Sequence, residues 1–342
     1  MSLPAIDPAP AAAAVAGFRA TFDAVRAEVA RLVIGHERVV ELVLTAFFAG
    51  GHVLIEGVPG IGKTLIVRSL AQALGLGFSR IQFTVDLMPA DITGTRIIDE
   101  SSGRRELVFV PGPLFAHVVL ADEINRATPK TQAALLEAMA EHQVTVAGTT
   151  HALPPPFFVL ATLNPIEMEG TYRLPEAELD RFLFKVVLAS PSQAELERIL
   201  AATTAADEPA VRTVLARESA PARVEELRRL VRQVLAAPHV ERYVAALVRL
   251  TAGAEADGAA DPEIARYVAY GASPRGGQAL MLGAKVQALL DGRPHVTCDD
   301  VDRVAEAALA HRLVLSFAAA AAGVDGRHVV ERVLAAARPL RA

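Results

Sequence analysis

An α/β domain, with a parallel sheet sandwiched by helices, followed by an all-α domain is the fold class that the sequence predicts. Three observations predict it. Short apolar runs alternate with helix-period segments through the first 190 residues, as buried parallel strands covered on both faces require. Beyond Ser190-Pro191 the strand-type runs stop and helical patterns follow one another. The chain has 342 residues, 52% of them hydrophobic, which suits two modest domains with substantial cores and excludes wholesale disorder.

Taken in order, residues 1–17 hold three prolines, Asp7 and no basic stretch, so they read as a flexible N-terminal arm and a poor signal peptide. From Phe18 onward, Phe22, Val25, Val29 and Leu32 recur at helical spacing, and a second helix is expected over residues 37–49. A short apolar run, His52-Val53-Leu54-Ile55, ends in a Gly-rich turn that opens a helix over residues 63–74. Further buried strands are expected over 78–83, 118–121, 157–162 and 182–188, with helices over 130–141 and 175–181 between them. Two segments interrupt the alternation as β-hairpins: 92–110, turning at Ser101-Ser102-Gly103, and 144–153, turning at Gly148-Thr149. The domain boundary is expected close to Ser190, giving an α/β domain over 18–190 and a helical domain over 191–342. Helices are expected there over 193–202, 223–236, 240–252, 262–270, 277–290, 299–313 and near 328–337, and no solenoid-type repeat is visible.

Charge and composition narrow the function classes. Thirty-four Lys and Arg against 39 Asp and Glu give a net charge of −5, unlike the basic footprint of a protein that coats nucleic acid. One cysteine, Cys298, excludes an internal disulfide and any Cys-cluster metal site, and is read as structural. The longest charge-free span carries Pro154-Pro155-Pro156 and several polar residues, so hydrocarbon would not accept it as a helix. The apolar span 313–324 has the length of a buried core helix, and no membrane insertion is expected; the protein reads as cytoplasmic. The histidines of the second half lack metal-ligand spacing, and the charge-rich run 223–232 reads as a solvated helix face.

The chemistry-bearing residues lie in the first half. Gly57-Val58-Pro59-Gly60-Ile61-Gly62-Lys63-Thr64 fits the phosphate-binding loop G-x-x-x-x-G-K-[ST]. Its glycines let successive backbone N–H groups converge on a β-phosphate. Lys63 reaches the β/γ oxygens, and the Thr64 hydroxyl ligates Mg²⁺ at a helix N-terminus. The strand before it and the helix after it are the context that distinguishes it from an ordinary Gly-rich turn. Val118-Val119-Leu120-Ala121-Asp122-Glu123 is an apolar strand that delivers two acids to its C-terminal edge, where open α/β sheets bind ligands. Asp122 would hold the magnesium and Glu123 would polarise the attacking water, the alternative being a strand followed by a helix-capping acid. Leu160-Ala161-Thr162-Leu163-Asn164-Pro165 puts a polar amide at the end of another strand, where Asn164 orients a water or simply turns the chain before proline.

Together these residues resemble the AAA+ ATPases, and most closely their MoxR group: GVPGIGKT, VVLADEINRATPKTQAALLEAMAE, ATLNP, LPEAELDRF and GASPR carry the resemblance from about Val33 into the C-terminal helices. It implies an AAA+ P-loop NTPase core followed by an all-α lid. It also implies ATP and Mg²⁺ as cofactors, with Ile34, Gly35, Gly57, Pro59, Gly60, Ile61, Gly62, Lys63, Thr64, Leu65 and Asp122 around the nucleotide and Thr64 and Asp122 on the metal. The motif departs at Ile34-Gly35-His36, where relatives more often have glutamine after the glycine. By the same resemblance Asn164 is sensor 1, Arg181 an arginine finger inserted into a neighbouring subunit's site, and Arg275 sensor 2 at the start of a lid helix. Lys63, Glu123, Asn164, Arg181 and Arg275 are thus the catalytic set, and Arg126 is a second candidate for a contact across the interface. The two hairpins resemble the helix-2 insert and the pre-sensor-1 hairpin, which in relatives project toward a central pore. The function implied is ATP hydrolysis in a ring, a hexamer, that remodels or activates a client protein, with a von Willebrand factor A domain protein as a common partner.

The sequence leaves two other readings open. A nucleic-acid motor is disfavoured by the acidic charge, although Arg96, Arg104 and Arg105 make the first insert locally basic. A nucleotide-gated scaffold without catalysis would usually have lost one of Lys63, Asp122, Glu123 or Asn164.

Overall fold

The structure is a computed structural model that describes residues 8–99, 105–165, 171–204, 210–252 and 261–341. Helix α1 (Pro8–Ala30) leads through a short turn to α2 (Glu37–Ala49). Of the expected stripe, Phe18, Phe22, Val25 and Val29 are buried along α1 while Leu32 falls in the turn after it, half-buried; the rings of Phe18 and Phe22 pack on Phe48 of α2 at 5.2 and 5.8 Å between centroids. The helix starts ten residues before Phe18, so the expected arm is helical from Pro8 and its Val15 is buried. Alanines at 11–14 are the strongest helix formers, and Pro8 and Pro10 fall in the first turn, where the missing N–H has no helical partner to lose. Residues 1–7 of that arm lie outside the described residues.

The alternating part then follows. Strand β1 (Val53–Glu56) precedes α3 (Lys63–Ala73) and β2 (Phe78–Gln82); a short helix, α4 (Pro89–Thr93), opens the first insert, whose hairpin pairs β3 (Gly94–Asp99) with β4 (Glu106–Pro111). Its expected turn at 101–103, with Arg104, lies outside the described residues. Strand β5 (Val118–Asp122), helix α5 (Pro129–Glu141), the hairpin of β6 (Gln143–Val146) and β7 (Thr149–Ala152), β8 (Phe158–Leu163), a single helical turn α6 (Glu176–Leu179) and β9 (Phe184–Val187) complete it. The second hairpin turns at Ala147-Gly148, one residue earlier than expected, with φ of +48° and +78° as a two-residue hairpin turn of this hand needs.

Five strands form one parallel sheet in the order β2-β5-β8-β1-β9. Alternation along β1 sends Val53 and Ile55 to one face and Leu54 to the other. The Leu54 face packs with Leu135 of α5, Phe83 and Phe157. The opposite face shares one continuous hydrophobic cluster with α1, α2, α3 and the helices beyond residue 190.

Those helices are α7 (Gln193–Thr203), α8 (Ala220–Gln233), α9 (Pro238–Leu250), α10 (Pro262–Tyr267), α11 (Pro274–Leu290), α12 (Cys298–Leu309), α13 (Phe317–Ala322) and α14 (Gly326–Ala337). Three expectations need correction. The helix over 262–270 ends at Tyr267 and continues as β10 (Val268–Tyr270), which pairs antiparallel with β11 (Val314–Leu315), so this half is not purely helical. The apolar span 313–324 is β11 plus α13, with Phe317 88% exposed, because Ser316 caps a new helix there that Gly323 closes in the left-handed region. In the charge-rich α8, Arg228 is not solvated: its guanidinium is buried 4.9 Å above the Phe47 ring and donates to the Phe47 carbonyl at 3.0 Å. Cys298 is buried at the first position of α12, and no cluster of three or more His, Cys, Asp or Glu side chains among the described residues is placed to hold a metal ion. No helix among the described residues is long and apolar enough to cross a membrane.

Candidate active site

The C-terminal edge of the sheet gathers the loop, the acids and the amide. Strand β1, held between β8 and β9, ends in Gly57, whose amide donates to the Leu163 carbonyl at 3.2 Å. A side chain at Gly57 would press within 2.8 Å of Ile61 and 3.0 Å of Leu188, so only glycine lets the loop leave the strand here. Gly60 and Gly62 have φ of +82° and +91°, and the space beyond their Cα atoms is open for 4 Å. This is a cradle lined by backbone, with Gly62 as the left-handed N-cap of α3 and Thr64 in the helix's first turn. The Lys63 ammonium is buried and folds back, donating to Gly57 O at 2.7 Å and Leu163 O at 3.4 Å. Pro59 of the loop and Leu65 in the first turn of α3 are exposed.

Strand β5 lies two places from β1 and is buried along its whole length, ending at Asp122. The register that pairs Ala121 with Ala161 sets Thr162 of β8 beside Asp122. Its hydroxyl donates to Asp122 Oδ1 at 2.7 Å and accepts the Glu123 amide at 2.8 Å, so one side chain anchors both acids. On the other flank β2 pairs Gln82 with Asp122, and Arg80 and Gln82 point to one face as i, i+2 neighbours. Arg80 donates to Asp122 Oδ2 at 2.8 and 3.2 Å. Gln82 donates to Glu123 Oε2 at 2.8 Å, and Arg126 donates to the same oxygen at 3.0 Å. Glu123 sits at φ +57°, a left-handed turn that directs its carboxylate back over the sheet edge. Asn164, 3% exposed, follows the Glu56–Leu163 pair and so lies level with Gly57.

Ile34 and Gly35 form the turn between α1 and α2. Gly35 has φ +82°, and a side chain there would come within 2.6 Å of Glu195 in the first turn of α7. Ser192 and Glu195 form the capping box of that turn; their hydrogen bonds hold the Glu195 carboxyl below its ordinary range.

Arg181 and Arg275 are elsewhere. Arg181 comes just before β9, and the next residue but one, Leu183, donates to the His52 carbonyl that precedes β1. Both arginines therefore lie at the N-terminal edge of the sheet, roughly 13 Å from the loop at about 3.3 Å per strand residue. They line a cavity of about 250 Å³ together with Asp180, His142, Gln278 and Arg312. Arg181 is exposed and donates to Leu136 O at 3.2 Å, and Arg275 stands 3.7 Å from Asp180.

Sequence reasoning missed Arg80, Gln82 and Thr162. The only trace is polar residues at alternate positions of an apolar strand, Arg80 and Gln82, and a hydroxyl inside the run ending at Leu163. Arg96, which made the first insert look basic, donates to Thr149 of the second hairpin at 2.6 Å.

Residues 52–184 match the family model described as ATPase family associated with various cellular activities (AAA), and residues 261–333 match an AAA lid domain. The chain is 43% identical over 311 residues to Chaperone MoxR1 of Mycobacterium tuberculosis, covering 90% of this chain and 79% of the relative. The protein belongs to the MoxR family of AAA+ ATPases. Protein MoxR of Methylorubrum extorquens is 34% identical, with 84% of this chain and 86% of the relative covered. A candidate ATPase from Cytophaga hutchinsonii has a solved structure that superposes with a TM-score of 0.85 at 37% identity, covering 94% of this chain and 96% of that one.

Proposed function

We propose that this MoxR-family chain is a Mg²⁺-dependent ATPase that hydrolyses ATP to ADP and phosphate at the subunit interfaces of a ring, a hexamer, in the cytoplasm. Its cycle would remodel or activate a client protein. The observation that carries the reading is the split site: loop, acids and amide at one edge of the sheet, Arg181 and Arg275 at the other. A chain whose charged arginines line an open cavity far from its own phosphate loop completes a site only against a second copy. For the same reason Arg275 acts in trans beside Arg181, since both share that cavity.

The residues at the C-terminal edge fit the nucleotide and its ion. The open cradle at Gly60 and Gly62 suits phosphate oxygens, while the Thr64 hydroxyl and Asp122 carboxylate are the hard oxygen donors Mg²⁺ takes. A bound Mg²⁺ would supply neutralisation of the negative charge on the phosphates. Lys63 leaves its two carbonyls for the phosphates. Glu123 accepts a hydrogen bond from the attacking water, and Asn164, level with Gly57, orients it. Arg181 of the adjacent subunit stabilises the charge of the transferring group, a contribution on the order of 10³–10⁵ in rate.

The name of the mycobacterial relative, a chaperone, and the acidic net charge support a protein client over nucleic acid. The family resemblance makes a von Willebrand factor A domain protein the first client to try. The hairpins offer a grip: Ile97, Ile98, Leu107 and Val108 of β3 and β4 are exposed on both faces.

The test is ATP turnover against protein concentration for the wild type, Glu123→Gln and Arg181→Ala. Turnover per subunit should rise with concentration in the wild type and fall by at least about a thousandfold in both variants. Undiminished turnover in Glu123→Gln would sink the catalytic assignment. Turnover that ignores concentration and survives Arg181→Ala would remove the ring-dependent mechanism.

A further inference from the structure

We infer that Arg312 is a positioning residue for the two arginines offered to the neighbouring subunit. Its guanidinium and the Asp180 carboxylate form one clamp that sets the turn carrying Arg181 and the helix start carrying Arg275 in a single arrangement. The inference rests on the reading that these arginines act in trans.

Arg312 follows α12 in a short 3₁₀ turn, and its side chain is 2% exposed. All five N–H groups of the guanidinium find acceptors. Nε donates to Asp180 Oδ1 at 2.8 Å, Nη2 to Asp180 O at 3.0 Å and to Phe182 O at 2.7 Å, and Nη1 to Leu183 O at 3.1 Å and to Ala308 O. Three of these acceptors are the backbone carbonyls of residues 180, 182 and 183, which bracket Arg181 on both sides. The clamp thus holds the chain around Arg181 while leaving its side chain exposed.

Asp180 extends the clamp to the second arginine. Its two carboxylate oxygens accept the Ser273 hydroxyl at 3.0 and 2.9 Å. Ser273 is the N-cap of α11, and its Oγ in turn accepts the amide of Arg275 at 3.1 Å. One carboxylate therefore joins the guanidinium that fixes the Arg181 turn to the cap that fixes the Arg275 helix. Gly276, one residue on, brings α11 close to the clamp: a Cβ there would sit 3.3 Å from Arg312 Cδ and 3.1 Å from Leu309.

A stability role alone does not account for this arrangement. A buried ion pair gains little over apolar packing of the same volume, because desolvation offsets most of the attraction. What the planar five-donor fork supplies, and a lysine's single ammonium with three donors does not, is a fixed set of directions. Displacing a reacting group by about 1 Å costs on the order of a hundredfold in rate, so a device that sets two such groups at once has a kinetic consequence.

The experiment compares Arg312→Lys, Ser273→Ala and Arg181→Ala in the full chain, alone and mixed with excess Glu123→Gln subunits. The latter bring an intact clamp and intact arginines but no turnover of their own. Alone, Arg312→Lys should lose on the order of a hundredfold in turnover and Ser273→Ala about tenfold, with the affinity for a fluorescent ADP analogue changed by less than about twofold. In the mixture both should recover, because the neighbour's arginines now serve their intact phosphate loops. Recovery of Arg181→Ala without recovery of the clamp variants overturns the clamp alone. Failure of Arg181→Ala to recover overturns the trans reading beneath it. If Arg312→Lys does not fold, Ser273→Ala carries the test, and turnover equal to wild type in that variant refutes the clamp.

Discussion

His52 precedes β1 at the edge away from the glycine-rich loop, buried beneath Phe157 and Phe158. Its Nδ1 accepts the Val159 amide at 3.0 Å and its Nε2 faces Met139 O at 3.1 Å, so the neutral ring with a proton on Nε2 satisfies both partners. Burial drives its pKa down from 6.5 to about 3, with the nearby His142 and Arg228 pushing the same way. The unfolded chain takes up this proton first as the pH falls. Stability from the neutral ring is therefore complete above about 6.5 and is lost progressively toward about 3, a loss of roughly 2 kcal/mol by pH 5. His311, buried against Arg312, is depressed well below its ordinary value for the same reason and adds to the effect. Nuclear magnetic resonance of the ring nitrogens should find His52 neutral at pH 5 in the folded protein. Protonation with a midpoint near 6.5 would refute the assignment. Individual residues also differ in how far the sequence alone marks them as part of the candidate site. Lys63, Asp122 and Glu123 announce themselves through contiguous motifs, whereas Arg80, Gln82 and Thr162 matter because strand register sets them beside the acids.

At the scale of elements, the strands and helices that read clearly were those whose pattern is complete in one stretch of chain. Helix α2 begins and ends at the expected residues 37 and 49, and β1, the loop and α3 follow a single local logic. What stayed unreadable depends on partners distant in sequence. Val268 and Tyr270 leave the helical pattern because Leu315 and Val314 lie ready to pair with them. The second hairpin turns at a non-glycine, Ala147, because the strand register leaves it no other place. Gly283 in α11 makes the same point as a prediction. Helix propensity alone favours alanine over glycine there by about 1 kcal/mol. A Cβ at this position, however, would lie 2.7 Å from the Phe184 ring of β9 and 3.1 Å from Val304 of α12, both fully buried. Overpacking costs about 1–3 kcal/mol, so Gly283→Ala should be net destabilising, by up to about 2 kcal/mol. A urea midpoint raised by the substitution would show that the helix can shift to make room.

Across the whole molecule, the change of architecture near Ser190 is not a change of core. Phe18 and Phe22 of α1, Phe47 of α2, Val53 of β1, Val224 of α8, Leu280 of α11 and Val304 of α12 belong to one buried cluster. Polar contacts cross the same boundary: Arg228 of α8 holds the Phe47 carbonyl, Gln287 of α11 donates to Thr45 of α2 at 3.2 Å, and Arg312 holds the turn at 180–183. Separating the two halves would expose apolar faces on both sides, at about 25 cal/mol for each Å² uncovered, and would strand buried guanidinium and amide groups without acceptors. Neither half should then fold stably on its own, and the chain should unfold as one unit. Calorimetry of the full chain without nucleotide should give a single transition whose van't Hoff and calorimetric enthalpies agree. A chain ending at residue 190 should show no cooperative melt. Two resolved transitions, or a cooperative melt of the shortened chain, would mean that the shared cluster is a docking surface between independent domains. The outcome also bears on mechanism. If the halves melt together, the strand edge that carries the glycine-rich loop and the turn and helix start that carry Arg181 and Arg275 belong to one cooperative unit, joined through the same buried cluster.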